Sequence, residues 1–217
     1  MKLIVQIPCY NEEKTLPQTV RDIPRKIEGI DSVQILVIDD GSTDRTVEAA
    51  RKLGVDHIIQ NCGNKGLAET FQVGLDHCLR LGADVIVNTD GDNQYRGENI
   101  ARMVQPVIRG EADIVVGDRQ TDTIAHFNFV KKKLQKLGSM VVRLLSNTQV
   151  PDAVSGFRAF SRQAAMRINV VSAYSYTVET IIQAGNKKLK IATVPVTTNP
   201  KTRESRLMKS LPRFIFQ

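Results

Sequence analysis

Three short polar runs hold residue types suited to a metal ion and a phosphate-bearing ligand. The most informative is Asp90-Gly91-Asp92, followed by Asn93-Gln94 and preceded by the apolar run ending at Val87. Two carboxylates spaced this way suit a hard divalent cation such as Mg2+ or Mn2+, which takes oxygen ligands and keeps phosphates and waters in its shell. Gly91 lets a ligand approach the backbone closely, and Gln94 can add a carbonyl oxygen. A second run, Ile38-Asp39-Asp40-Gly41-Ser42-Thr43-Asp44, puts two adjacent carboxylates after an apolar stretch. Adjacent like charges are costly unless a cation or donor meets them, while Ser42, Thr43 and Asp44 also suit the cap of a following helix. The third run is Ile7-Pro8-Cys9-Tyr10-Asn11-Glu12-Glu13. Tyr10 offers a ring for base stacking, and Asn11 and Glu12 offer hydrogen bonds. Alternatively, Asn11 and the acids cap a helix.

These runs need a scaffold that brings them to one place. Strand-like segments span Leu3–Pro8, Val33–Ile38, His57–Ile59, Asp84–Val87 and Asp113–Val116. Between them, Glu13–Ile27, Thr43–Leu53, Gly66–Leu81 and Gly97–Ile108 place apolar residues at helical spacing. Alternation at this rhythm predicts an α/β fold, a mostly parallel central sheet flanked by helices. Ligands of such sheets bind beyond the carboxyl ends of the strands, where each polar run falls. Farther along, Phe127–Ser146 reads as a basic amphipathic helix, Ser172–Ala184 as another helix and Lys190–Val196 as a late strand.

The 217 residues suffice for one such domain, expected over 1–204. No apolar run reaches the length of a membrane span, and no secretory signal precedes the first strand. Cys9, Cys62 and Cys78 lack CxxC spacing and are expected as reduced, buried thiols, and His57, His77 and His126 form no paired metal motif. From Asn186 to Gln217, eight basic residues accompany the single acid Glu204, so this stretch carries the whole net charge of +7. An anionic partner is expected there. Aromatic residues at 5% and the lack of Trp leave no stacking platform for nucleic acid. Residues 205–217 alternate Leu207, Met208, Leu211, Phe214 and Ile215 with Arg206, Lys209 and Arg213 nearby. This is the pattern of a basic amphipathic, juxtamembrane segment, expected to continue into membrane helices in the natural protein.

Pro8-Cys-Tyr-Asn-Glu12, Asp39-Asp-Gly-Ser-Thr-Asp44, Lys65-Gly66, Asp90-Gly-Asp92 and Val154-Ser-Gly-Phe-Arg158 stand in the order seen in family 2 glycosyltransferases of the GT-A fold. Within that family the chain most resembles the dolichyl- or polyprenyl-phosphate sugar synthases. The resemblance implies nucleoside contacts from Pro8, Tyr10, Glu12, Ile38 and Asp40, with Asp90 and Gly91 at the diphosphate. It also implies Mg2+ or Mn2+ on Asp90 and Asp92, with Gln94 as a third contact, and Arg119 near the donor and acceptor phosphates. Lys132, Lys133, Arg158, Lys201, Arg203 and Arg206 are the implied acceptor-phosphate set, and Asp152 lies in the acceptor region. The loop Lys201-Thr-Arg203-Glu-Ser205-Arg206 carries Arg where the family often has Gly.

The expected reaction is metal-dependent, inverting transfer from a GDP- or UDP-sugar to a polyprenyl phosphate, performed by a cytoplasmic protein peripheral at the inner face of an anionic membrane. A phosphate acceptor is already ionised and needs positive charge more than a base. The rival readings are transfer to a hydroxyl, with Asp152 or another carboxylate as base, and a non-catalytic nucleotide-binding module.

Overall fold

A computed structural model describes residues 1–120, 150–173 and 175–200. Seven strands form its sheet: β1 (Lys2–Cys9), β2 (Ser32–Asp39), β3 (His57–Gln60), β4 (Val85–Asn88), β5 (Ile114–Asp118), β6 (Arg158–Ser161) and β7 (Ile191–Pro195). Their order is β3-β2-β1-β4-β6-β5-β7. β6 runs antiparallel to β4 and β5, and the other six strands are mutually parallel. The described residues thus form an α/β sheet flanked by helices. The Phe127–Ser146 helix and the 205–217 segment lie outside them.

The helices are α1 (Leu16–Asp22), α2 (Thr46–Lys52), α3 (Leu67–Arg80), α4 (Asn99–Ile108), α5 (Arg162–Arg167) and α6 (Tyr176–Asn186). α1 is much shorter than the Glu13–Ile27 pattern. Pro24 explains its end: the residue before a proline is pushed out of the helical region, and Ile23 is extended at φ −74°, ψ 119°. β6 and α5 were not expected. They are short, and α5 begins at Ser161, whose side chain accepts a hydrogen bond from the Ala164 N–H.

The central strands are buried on both faces, as a parallel sheet covered by helices requires. In β1, Leu3, Val5, Ile7 and Cys9 pack into one hydrophobic cluster with α1 and α4. Ile4 packs into the other with Phe71 and Leu75 of α3. β2 divides likewise, Ile35 and Val37 against Leu36 and Ile38. Gly74 lets α3 press onto the sheet, because a Cβ there would lie 2.7 Å from Gln6 Oε1 and 2.8 Å from Ile38 Cδ1.

This topology fixes where a ligand can sit. From β1 the sheet grows toward β2 on one side and β4 on the other, making a switch point at their carboxyl ends. Residues 10–13 and 89–94 leave the sheet there. Among the described residues no helix is long and apolar enough to cross a membrane.

Candidate active site

The runs after β1 and β2, residues 7–13 and 38–44, are zipped together. Ser42 Oγ accepts from the Asn11 N–H at 2.8 Å, and Asn11 Oδ1 accepts from the Thr43 N–H at 2.7 Å. The Glu12 N–H donates to Thr46 Oγ1, the Glu13 N–H to Asp44 Oδ2 and the Arg45 N–H to Glu13 Oε2. Asn11 adopts φ +54°, a left-handed conformation that Asn tolerates better than most residues. Its side chain therefore joins two loops and does not cap its own helix. Asp44 Oδ1 accepts from the Thr46 N–H at 3.0 Å, supporting the start of α2.

The Asp90-Gly91-Asp92 loop meets this pair of loops from β4. A Cβ on Gly91 would lie 3.0 Å from Cys9 Sγ, 3.3 Å from Glu12 Cγ and 3.5 Å from the Pro8 carbonyl. Asp92 Oδ1 accepts from the Gln94 N–H at 3.0 Å. Burial raises the Cys9 thiol well above its ordinary pKa, and the carboxylates of Glu12, Asp39, Asp90 and Asp44 push it further the same way. Negative charge is thus concentrated where β1 and β4 end.

A third loop supports Asp90 from the other side. A Cβ on Gly156 would lie 3.3 Å from both Asp90 carboxylate oxygens and 2.9 Å from Tyr176 Oη. Tyr176 Oη donates to the Gly156 carbonyl at 3.0 Å, and Asn88 Nδ2 donates to Tyr176 Oη at 2.8 Å. Gln6 Nε2 donates to Asn88 Oδ1 at 2.9 Å, anchoring the network in β1. Tyr95 Oη accepts from the Gly156 N–H at 3.2 Å. Sequence reasoning passed over Gln6, Asn88, Tyr95 and Tyr176. The polar pair Gln6 and Asn88 inside otherwise apolar strands was the available signal.

Several expected site residues stand differently. Arg158 is fully buried, which corrects its assignment to an acceptor phosphate. Its guanidinium donates to the carbonyls of Ser155 (2.9 Å) and Ala153 (2.8 Å) and to Thr180 Oγ1, shaping the loop that carries Gly156. Burial pushes its pKa down to about 10. Ile38 is also fully buried, with its side chain under α3, so only its main chain could face a nucleoside. Asp40 turns to its own loops, accepting from Asn61 Nδ2 and from the Lys65 and Gly66 N–H groups, each at 2.9 Å. Asp152 is no ready general base. Both its oxygens are held by Arg119, Nε to Oδ2 at 2.7 Å and Nη2 to Oδ1 at 2.9 Å. Burial opposes the Arg119 charge, but Tyr95, Asp152 and Asp90 outweigh it and raise the guanidinium pKa.

Pro8 and Glu12 are buried beside Gly91, and Tyr10, Asp92 and Gln94 are half-buried on the same edge. Lys132, Lys133, Lys201, Arg203 and Arg206 lie outside the described residues. Cys62 is exposed, correcting the expectation of three buried thiols.

The donor set fits a divalent cation of the Mg2+ or Mn2+ type. Among the described residues no three His, Cys, Asp or Glu side chains form a ligand group. Two carboxylates with ligand phosphates and water completing the shell is the arrangement such ions favour. Asn93 Oδ1 is buried without a hydrogen-bond partner among the described residues, leaving an acceptor beside the carboxylate loop.

A mostly parallel sheet with acidic loops gathered at its switch point is suited to a phosphate-bearing ligand, and similarity to known proteins gives the family. The family model for glycosyl transferase family 2 matches residues 4–168, and the chain belongs to that family. It is a glycosyltransferase. The UDP-N-acetylglucosamine–dolichyl-phosphate N-acetylglucosaminyltransferase of Methanococcus voltae is 30% identical over 213 residues, covering 88% of this chain and 83% of the relative. The polyprenol monophosphomannose synthase of Mycolicibacterium smegmatis is 28% identical over 207 residues, covering 90% and 77%. In fold, the chain is similar to glucosyl-3-phosphoglycerate synthase of Mycobacterium tuberculosis, crystallised with Mn2+, UDP-glucose and phosphoglyceric acid. That match has a TM-score of 0.77 at 19% identity and covers 99% of this chain and 77% of the other.

Proposed function

We propose that this glycosyltransferase moves a sugar from a nucleoside-diphosphate donor to a polyprenyl phosphate, with inversion at the anomeric carbon. One observation carries the reading: the Pro8–Glu12 loop, Asp90-Gly91-Asp92 and Gly156 are packed within contact distance at the ends of β1 and β4. The two relatives described above, named for lipid-phosphate acceptors, support the choice of acceptor.

Asp90 and Asp92 would hold the cation, with Gln94 as a further oxygen donor. The ion supplies Lewis-acid stabilisation of the departing nucleoside diphosphate. Tyr10 and Glu12 line the edge where the nucleoside would rest, and Asp40 shapes the 61–66 loop beside it. Arg119, held in place by Asp152, presents positive charge within electrostatic range of Asp90. That charge suits two phosphate-bearing substrates brought close together. An ionised phosphate acceptor attacks without losing a proton, so this reaction does not need Asp152 as a base. A hydroxyl acceptor would need a free base. Lys132, Lys133, Lys201, Arg203 and Arg206 supply further positive charge for the acceptor, and the basic C-terminal stretch holds the protein peripherally on the inner face of an anionic membrane.

The test is a panel of GDP- and UDP-sugars incubated with Mn2+, with and without undecaprenyl phosphate or a soluble glycan. Release of nucleoside diphosphate only with the lipid is expected. Release only with the glycan would replace the lipid reading by the hydroxyl-acceptor one.

A further inference from the structure

We infer that Asn199 is a positioning residue for the carboxylate loop. The inference rests on the proposed cation site at Asp90 and Asp92. Asn199 follows β7 and is half-buried, distant in sequence from the acidic runs at the ends of β1, β2 and β4. Yet its hydrogen bonds converge on the residues just after Asp92. Its main-chain N–H donates to the Gln94 carbonyl at 2.8 Å, and its Nδ2 donates to the Asn93 carbonyl at 3.0 Å. Its Oδ1 accepts from Arg96 Nε at 3.1 Å. One residue earlier, Thr198 forms an isolated antiparallel bridge with Tyr95. At Thr197, the carbonyl and the hydroxyl each accept from Asn99 Nδ2 at 3.2 Å.

The loop needs such a clamp. Asn93 has φ +57°, and the Gln94 N–H donates to Asp92 Oδ1, so the Asn93-Gln94 peptide is one of the groups that help set where the Asp92 carboxylate stands. Tyr95 supports the loop from within, through its bond with the Gly156 N–H. Asn199 supports it from outside. The α4 start has its own attachment: Gly97 lies against the Asp22 backbone, where a Cβ would meet the Asp22 carbonyl oxygen at 2.2 Å. Loss of the Asn199 side chain should therefore loosen residues 92–94 more than it weakens the fold. Groups that orient metal ligands in this indirect way typically alter metal affinity about 10–100-fold when removed.

The experiment measures Mn2+ binding by electron paramagnetic resonance of the free ion, with UDP present, for wild type, Asn199→Ala and Asn199→Asp. The Asp variant can still accept from Arg96 but cannot donate to the Asn93 carbonyl, so it separates the loop contact from the contact to Arg96. Both variants should raise the Mn2+ dissociation constant about 10-fold while melting within a few degrees of wild type. Mn2+ affinities within twofold of wild type in both variants would overturn the role of Asn199 and leave the cation site standing. Failure of wild type itself to bind Mn2+ would overturn the cation site, and the role of Asn199 with it.

Discussion

Replacing Gly156 by alanine tests how the loop behind Asp90 is built. The new methyl would lie 2.9 Å from Tyr176 Oη and 3.3 Å from each Asp90 oxygen. Tyr176 cannot easily retreat, because its ring stacks on Phe71 with centroids 3.9 Å apart and planes 3° from parallel. Overpacking of this kind costs about 1–3 kcal/mol. A displaced hydroxyl also weakens its bonds to Asn88 and the Gly156 carbonyl, each worth about 0.5–1.5 kcal/mol. The expected destabilisation is therefore about 2–3 kcal/mol, or roughly 5–10 °C in Tm for a domain of this size. Movement of Asp90 should lower kcat by about 10- to 100-fold. Adding Tyr176→Phe removes the atom that clashes, so the double variant should be more stable than the sum of the two single losses. Thermal melts and urea titrations of the four proteins complete the cycle. A Gly156→Ala protein that melts within 1 °C of wild type with full activity would refute the packing described here, as would strict additivity in the double variant.

Asp40→Ala leaves three donors, from Asn61, Lys65 and Gly66, without their acceptor, and should cost about 2 kcal/mol and weaken nucleoside diphosphate binding. Ser42→Ala removes one acceptor for the Asn11 N–H and should do less in both calorimetry and melts; equal effects would deny Asp40 its loop-organising role. Ellman's reagent should titrate one thiol, Cys62, in the native protein and three after denaturation, because burial excludes reagent from Cys9 and Cys78 and raises both pKa values. Two or more fast native thiols would contradict the burial. The full chain should sediment with anionic vesicles at low salt and less at high salt, since each Lys or Arg near such a surface contributes about 1 kcal/mol; a version ending at Asn199 should remain in the supernatant. Sedimentation of both would place the membrane contact elsewhere.

The parallel strands and the acidic runs at their ends were legible because apolar runs of 4–8 residues and the helical spacings between them are local signals. What escaped was set by contacts far apart in sequence. Arg158 reads as a surface cation because arginine is seldom fully buried, but the carbonyls of Ala153 and Ser155 and the Thr180 hydroxyl receive its donors inside the fold. β6 begins with that arginine and spans only Arg158–Ser161, too short to show a period. Asp40 reads as a ligand-facing carboxylate because nothing local reveals that residues 61–66 fold back onto it. Asn199 carries no motif, and only the pairing of residues 197–199 with 93–99 gives it meaning.

The most direct test of the central claim is the chemical identity of the product. Wild type, Asp92→Ala and wild type in EDTA are each given nucleotide sugar, Mn2+ or chelator, and undecaprenyl phosphate, and the lipid fraction is analysed by mass spectrometry and by NMR at the anomeric carbon. The expected product is a sugar joined through phosphate to the lipid, with inverted anomeric configuration. It should form with wild type and Mn2+, fall by about 10²-fold or more in Asp92→Ala, and be absent in EDTA. Undiminished product in EDTA or in Asp92→Ala, or a product of retained configuration, would contradict the account.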